Sequence, residues 1–206
     1  MKVLLINGGP HRNGATYTAL KEVSDTLVSE GIETDIAWLG NDPIAGCIGC
    51  GVCKKQGKCF RGDIVNEIAD KVSDYDGYVF GSPVHYAASS GAISSFMDRL
   101  FMSASGKMHM KPAAAVVSCR RGGASAAFDE INKYFTISSM PVVSSQYWNQ
   151  IHGSNAEDAL KDEEGLQTMR TLARNMAYMI KAFAAAKDAG IEPPQREMVI
   201  RTNFIR

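Results

Sequence analysis

The sequence has no excess of charge of either sign: 22 Lys and Arg stand against 22 Asp and Glu. Without a net field, neither nucleic acid nor an acidic membrane surface is an expected partner. No apolar run approaches the ~20 residues that a membrane span needs. The N-terminus lacks the longer apolar core and small-residue cleavage site of a secretory signal, which points to the cytoplasm. Internal repeats, low-complexity tracts and an interdomain linker are missing as well. One domain over 1–206 is therefore expected, and the 45% hydrophobic fraction suffices for a core of ordinary size.

What is present is an alternation of short apolar runs with amphipathic stretches. Val3 to Asn7 is continuously apolar up to its last residue and closes on Gly8-Gly9-Pro10. That pattern predicts a parallel strand buried on both faces. Further strands are expected over 33–39, 77–80, 112–118 and 142–147, the third ended by Gly81-Ser82-Pro83. Helices are expected over 15–30, 90–102, 124–135 and 162–187, with a short one capped by Asp63. Five strands alternating with helices predict an α/β fold with one doubly wound parallel sheet. The tail from about 190 is expected to be irregular and to lie on the surface.

The turn after the first strand reads Gly8-Gly9-Pro10-His11-Arg12-Asn13-Gly14-Ala15-Thr16. Glycines let backbone amides approach an anion closely, and the following helix adds free N–H groups and a positive dipole end. His11, Arg12, Asn13 and Thr16 bring further donors. This is a phosphate site by construction, although a plain strand-to-helix turn would share its glycines. The dinucleotide pattern Gly-x-Gly-x-x-Gly is absent from it.

This turn resembles the Gly-Ser-Pro-Arg-x-x-Gly-Asn-Thr loop of the NADPH-dependent FMN reductase and iron–sulfur flavoprotein family. Gly81-Ser82-Pro83-Val84-His85-Tyr86 is similar to the family's Ser-Pro-Val-Tyr-Tyr stretch, and Gly91 to Leu100 to its Gly-x-Leu-x-x-Phe-x-Asp-Arg helix. The likeness runs over essentially the whole chain. It implies a flavodoxin-like sheet of order 2-1-3-4-5 that holds FMN. The phosphate would sit on Gly9, Pro10, His11, Asn13, Gly14, Ala15 and Thr16. Gly9 and Ala15 replace the family's Ser and Asn, so recognition should lean on backbone amides, Asn13 and Thr16. The ring would lie along Ser82, Pro83, Val84, His85 and Tyr86, and beside Ser118, Arg120, Gly122 and Gly123. Arg120 or Arg121 would stabilise negative charge on a reduced flavin, or meet the phosphate of a nicotinamide cofactor.

Four of the five cysteines, Cys47, Cys50, Cys53 and Cys59, share a glycine-rich insert at 46–61. Thiols at that density suit an iron–sulfur cluster or zinc. Three cysteines at intervals of three match the opening of bacterial ferredoxins. Structural zinc sites more often split into two separated pairs. Free thiols or a disulfide are the remaining readings. By the resemblance, all four would hold one [4Fe–4S] cluster, and a homodimer or homotetramer would bring one subunit's cluster near another's FMN.

The resemblance implies an FMN-dependent oxidoreductase. NAD(P)H or a reduced protein would be the donor, and a quinone, free flavin or oxygen the acceptor. The alternative is an electron carrier of the iron–sulfur flavoprotein kind, working between ferredoxin-like partners and a small acceptor. The ring carries the chemistry in either case, so no residue is named as catalytic.

Overall fold

The computed structural model describes residues 1–195 together with Glu197, Ile200 and Thr202. Four segments build the first half-sheet and its cover: β1 (Lys2–Asn7), α1 (Ala15–Ser29), β2 (Glu33–Trp38) and, after the cysteine loop with its short α2 (Val52–Gln56), α3 (Ile64–Lys71). The chain continues through β3 (Gly77–His85), β4 (Ala88–Ser89), α4 (Gly91–Met108), β5 (Ala113–Cys119) and α5 (Ala124–Ile137). It ends in β6 (Gln150–His152), α6 (Ala156–Ala159) and α7 (Glu163–Asp188).

The five long-range strands run parallel in the order β2-β1-β3-β5-β6, and β4 folds back antiparallel on the end of β3. Counting parallel strands alone, this is the expected order. Successive residues of a strand point to opposite faces. Leu4 and Ile6 of β1 accordingly pack with Phe80, Phe96 and Phe135 under α3, α4 and α5. Val3 and Leu5 pack with Leu20, Leu27, Leu172 and Met176 under α1 and α7. Both faces of the central strands are covered, which is why β1 and β5 read as nearly unbroken apolar runs. None of the helices in the described residues is long and apolar enough to cross a membrane.

Two expectations are corrected. Gly81-Ser82-Pro83 does not end the third strand, because Gly81, Ser82 and Pro83 stay in register with Val116, Val117 and Ser118 of β5. The fifth strand is not 142–147. Val142 makes one isolated bridge to Ala113, the Val143 N–H bonds the same residue's carbonyl, and the stretch 144–148 then leaves the sheet. Asn149 brings the chain back: its carbonyl accepts from the Val117 N–H, and its side-chain amide donates to the Ala115 carbonyl. The strand resumes only at Gln150. Gly190 to Gln195 is exposed and irregular, and the rest of the expected irregular tail lies largely outside the described residues.

Candidate functional site

Ligands of open parallel sheets bind outside the carboxyl ends of the strands. Here β1 ends on Asn7, which is fully buried and organises the next turn with its side chain. Asn7 Oδ1 accepts from the Gly9 N–H at 3.0 Å, and Asn7 Nδ2 donates to the Arg12 carbonyl at 3.1 Å. The Gly8 N–H bonds the Gly81 carbonyl, and a side chain at Gly8 would meet Ile93 Cβ at 2.9 Å. Trp38 closes the other side, its indole N–H donating to the Gly9 carbonyl at 2.8 Å.

α1 then starts with Gly14 at its cap position and no side-chain cap. Its first-turn N–H groups are left for a ligand, at the positive end of the helix dipole. Thr16 does not cap the helix either. Its hydroxyl lies 2.7 Å from the Ser118 hydroxyl, buried at the end of β5. One hydroxyl of such a pair donates to the other, so one proton remains to be given.

These elements enclose a groove of about 340 Å³. Gly9, Pro10, His11, Gly14, Ala15 and Thr16 form one end, Pro83, Val84 and His85 of β3 a wall, and Ser118 at the end of β5 with Arg120 just after it the remaining side. Five residues expected at the site do not line it. Asn13 is exposed on the turn. Ser82 is fully buried, and its hydroxyl accepts from the Ser90 N–H at the start of α4. Tyr86 sits at φ +50° with its side chain fully in solvent, so it is not placed to stack in the groove. Gly122 is exposed. Gly123 supports the turn from below: its φ is +90°, and a Cβ there would stand 2.6 Å from Ala87 Cα.

Sequence reasoning missed three lining residues, Cys119, Gly153 and Ser154. All follow or end a strand at its carboxyl edge, and the displaced β6 is what hid the last two. Burial pushes the Cys119 thiol above its ordinary range, with Asp162 adding to the rise and a backbone N–H at Arg121 opposing it. The groove suits a phosphate ester at its glycine end: uncapped N–H groups, a spare hydroxyl proton and no side chain at Gly9 to fill the space between Asn7 and Thr16.

The second site is the cysteine loop. Cys47, Cys50, Cys53 and Cys59 are free thiols that line one cavity of about 80 Å³. Gly49, Gly51 and Gly57 adopt left-handed φ values of 67°, 72° and 76°, which lets the loop curl. Its C-terminal half is braced. Asn66 Nδ2 donates to the carbonyls of Cys59 and Arg61, both at 2.8 Å. Arg99 of α4, 2% exposed, forks onto the Asp63 carboxylate and donates Nε–H to Cys59 Sγ at 3.4 Å. Burial alone would raise the Cys59 thiol, but the Arg61 N–H and the Arg99 guanidinium outweigh it and hold the thiol below its ordinary range.

Among the described residues no three Cys, His, Asp or Glu side chains gather closely enough to hold one metal ion. A tetrahedral zinc with bonds of about 2.3 Å brings its sulfurs within about 3.8 Å of one another. A cluster holds its ligand sulfurs farther apart around a body of iron and sulfide. Four thiols around one cavity beside a buried guanidinium have the donor chemistry that a cluster would need.

Residues 1–154 match the model of the NADPH-dependent FMN reductase family. An iron–sulfur flavoprotein of Methanocaldococcus jannaschii is 34% identical over 189 residues, covering 88% of this chain and 98% of that protein. Among solved structures, RosB with a bound 8-demethyl-8-formylriboflavin-5'-phosphate intermediate superposes with a TM-score of 0.70 at 14% identity, covering 100% of this chain and 92% of its own. An archaeal flavodoxin gives 0.61 at 16% identity, covering 88% and 99%. These two likenesses show a flavodoxin-like fold.

Proposed function

From the premise that the chain belongs to the NADPH-dependent FMN reductase family and is a flavoprotein oxidoreductase, we propose that it passes electrons from NADH, NADPH or a reduced protein donor to a quinone, free flavin or oxygen. The observation that carries this reading is the groove at the strand ends. It joins the uncapped start of α1 to the end of β3 and the loop after β5. FMN bound there would supply hydride and single-electron transfer through its ring. The protein's part is to position and to balance charge. The amides of the Gly9–Thr16 turn and the spare proton of the Thr16–Ser118 pair would bind the phosphate. Pro83, Val84 and His85 would wall the ring, and Arg120 would offset negative charge as it develops.

A second reading, an electron carrier of the iron–sulfur flavoprotein kind, is favoured by the cysteine cavity. Cys47, Cys50, Cys53 and Cys59 would hold a [4Fe–4S] cluster there, exchanging electrons with a ferredoxin-like partner. The cavity's rim carries Ile48, Phe60 and Met102, exposed by 64%, 51% and 49%. An apolar rim of that kind suits a contact between subunits of a homodimer or homotetramer. A monomer in solution would sink that arrangement.

Anaerobic purification followed by a visible spectrum and iron and sulfide assays tests both readings. A protein that stays colourless with added FMN overturns the first. Flavin bands without iron, even after reconstitution, overturn the second. Rapid bleaching of the flavin by NADPH would favour the reductase over the carrier.

A further inference from the structure

The buried cation beside the cysteine cavity has more to do than close a salt bridge. A guanidinium has five N–H donors, and those of Arg99 reach four groups. Nη1 and Nη2 lie 2.5 and 2.8 Å from the Asp63 carboxylate. Nη1 also reaches the Ala45 carbonyl and Nη2 the Arg61 carbonyl, each at 3.4 Å. Nε is left for Cys59 Sγ, also at 3.4 Å. Arg99 thus ties α4 to both flanks of the cysteine loop and to the cap of α3, since Asp63 Oδ1 also accepts from the Val65 N–H. Cys47 and Cys50, by contrast, are exposed on the glycine-rich half.

We propose that Arg99 is the positioning residue of the cysteine-bound centre: it fixes Cys59 as the anchored ligand and, through its Nε–H to the sulfur, makes that centre easier to reduce. This rests on reading the cavity as an iron–sulfur site. One-electron reduction adds one negative charge, shared with the ligand sulfurs, and transfers no proton. A fixed positive charge at hydrogen-bond distance, screened little because its side chain is 1% exposed, stabilises the reduced form more than the oxidised one.

A purely structural role predicts something different, and two variants separate the two. Arg99→Gln removes the cation and the Nε–H; Asp63→Asn removes the carboxylate and leaves the Nε–H in place. Both should unfold at lower temperature than the wild type. Their midpoint potentials, measured by dithionite titration of the reconstituted protein, should part. Arg99→Gln should be about tenfold harder to reduce, a shift of about 59 mV to more negative values for a one-electron couple. Asp63→Asn should stay in place or shift positive. Where Arg99→Gln does not fold, Arg99→Lys, which keeps the charge but not the fork, should give a smaller negative shift. An unchanged potential in the arginine variants, or a negative shift in Asp63→Asn as well, overturns the role of Arg99 alone. Wild-type protein that takes up no iron or sulfide overturns the cluster reading, and this role with it.

Discussion

The hydroxyls of Thr16 and Ser118 lie 2.7 Å apart, tying the first turn of α1 to the last turnout of β5 beneath the groove, with both residues buried. Thr16→Val keeps the shape but leaves the Ser118 hydroxyl without that partner, at a cost of about 1–3 kcal/mol. Part of this loss should appear in urea unfolding with no flavin present, and FMN affinity should fall as well. Thr16→Ser should retain most of both. Lost affinity with unchanged stability would mean that the hydroxyl serves the ligand alone.

Trp38 acts on the same turn from the neighbouring strand, through its 2.8 Å bond to the Gly9 carbonyl. Trp38→Phe retains a ring and deletes the donor. The expected outcome is FMN binding weaker by about 0.5–1.5 kcal/mol, read by titrating flavin fluorescence. Unaltered affinity would show that the turn holds its shape without the Trp38 bond.

The first half of the molecule was legible because its signals are local. β1, its glycine turn and α1 follow one another without interruption, and Asp63 does cap α3. The groove was legible for the same reason: strand ends in a doubly wound sheet place ligands. What sequence could not show was where each strand begins and stops pairing. The apolar pair Val142-Val143 looks like the start of an edge strand, yet only its first contacts reach β5 before the chain loops out. Tyr86 likewise looks like a ring-stacking residue in its motif, but a turn with φ +50° at Tyr86 and +61° at Ala87 throws its side chain into solvent. The link between α4 and the two sites was also hidden. Ser90 Oγ donates to the Gly8 carbonyl, and Arg99, nine residues on and so about 14 Å along the helix, holds Cys59.

The support of that turn can be tested at Gly123. At φ +90° an alanine is strained, and its methyl would stand 2.6 Å from Ala87 Cα and 2.9 Å from Val84 Cγ1. Backbone cannot yield as a flexible side chain does. Gly123→Ala should cost about 1–3 kcal/mol in thermal unfolding and, by moving Val84, weaken FMN binding. Gly122→Ala, where the space around the Cβ is open, is the control expected to change neither.

Acid sensitivity has an assignable source in Asp35, which meets the Lys2 ammonium at 2.8 Å and the Tyr75 hydroxyl at 2.7 Å. The bond from Lys2 and then that from Tyr75 hold its carboxyl below the usual 3.8, against the opposing effect of burial. A carboxyl with a lowered folded pKa stabilises the fold above its unfolded value and loses that contribution as pH falls through the folded one. Melting temperature should therefore drop less steeply below about pH 4 in Asp35→Asn than in the wild type. The pair is partly exposed, so the difference should shrink in high salt. Parallel curves would remove Asp35 from the acid transition.

Thiol labelling separates the two cysteine environments directly. Cys47 and Cys50 are exposed and Cys53 and Cys59 half-buried, whereas Cys119 is 4% exposed and burial raises its thiol. Reactivity follows access and thiolate fraction. Maleimide at neutral pH should therefore label the four loop cysteines and spare Cys119 until the protein is unfolded, as peptide mass spectrometry would record. Reconstitution with iron and sulfide should then protect all four loop thiols together, because they line one cavity. Protection of only two would favour a disulfide over a shared centre, and labelling of native Cys119 would contradict its burial beside the groove.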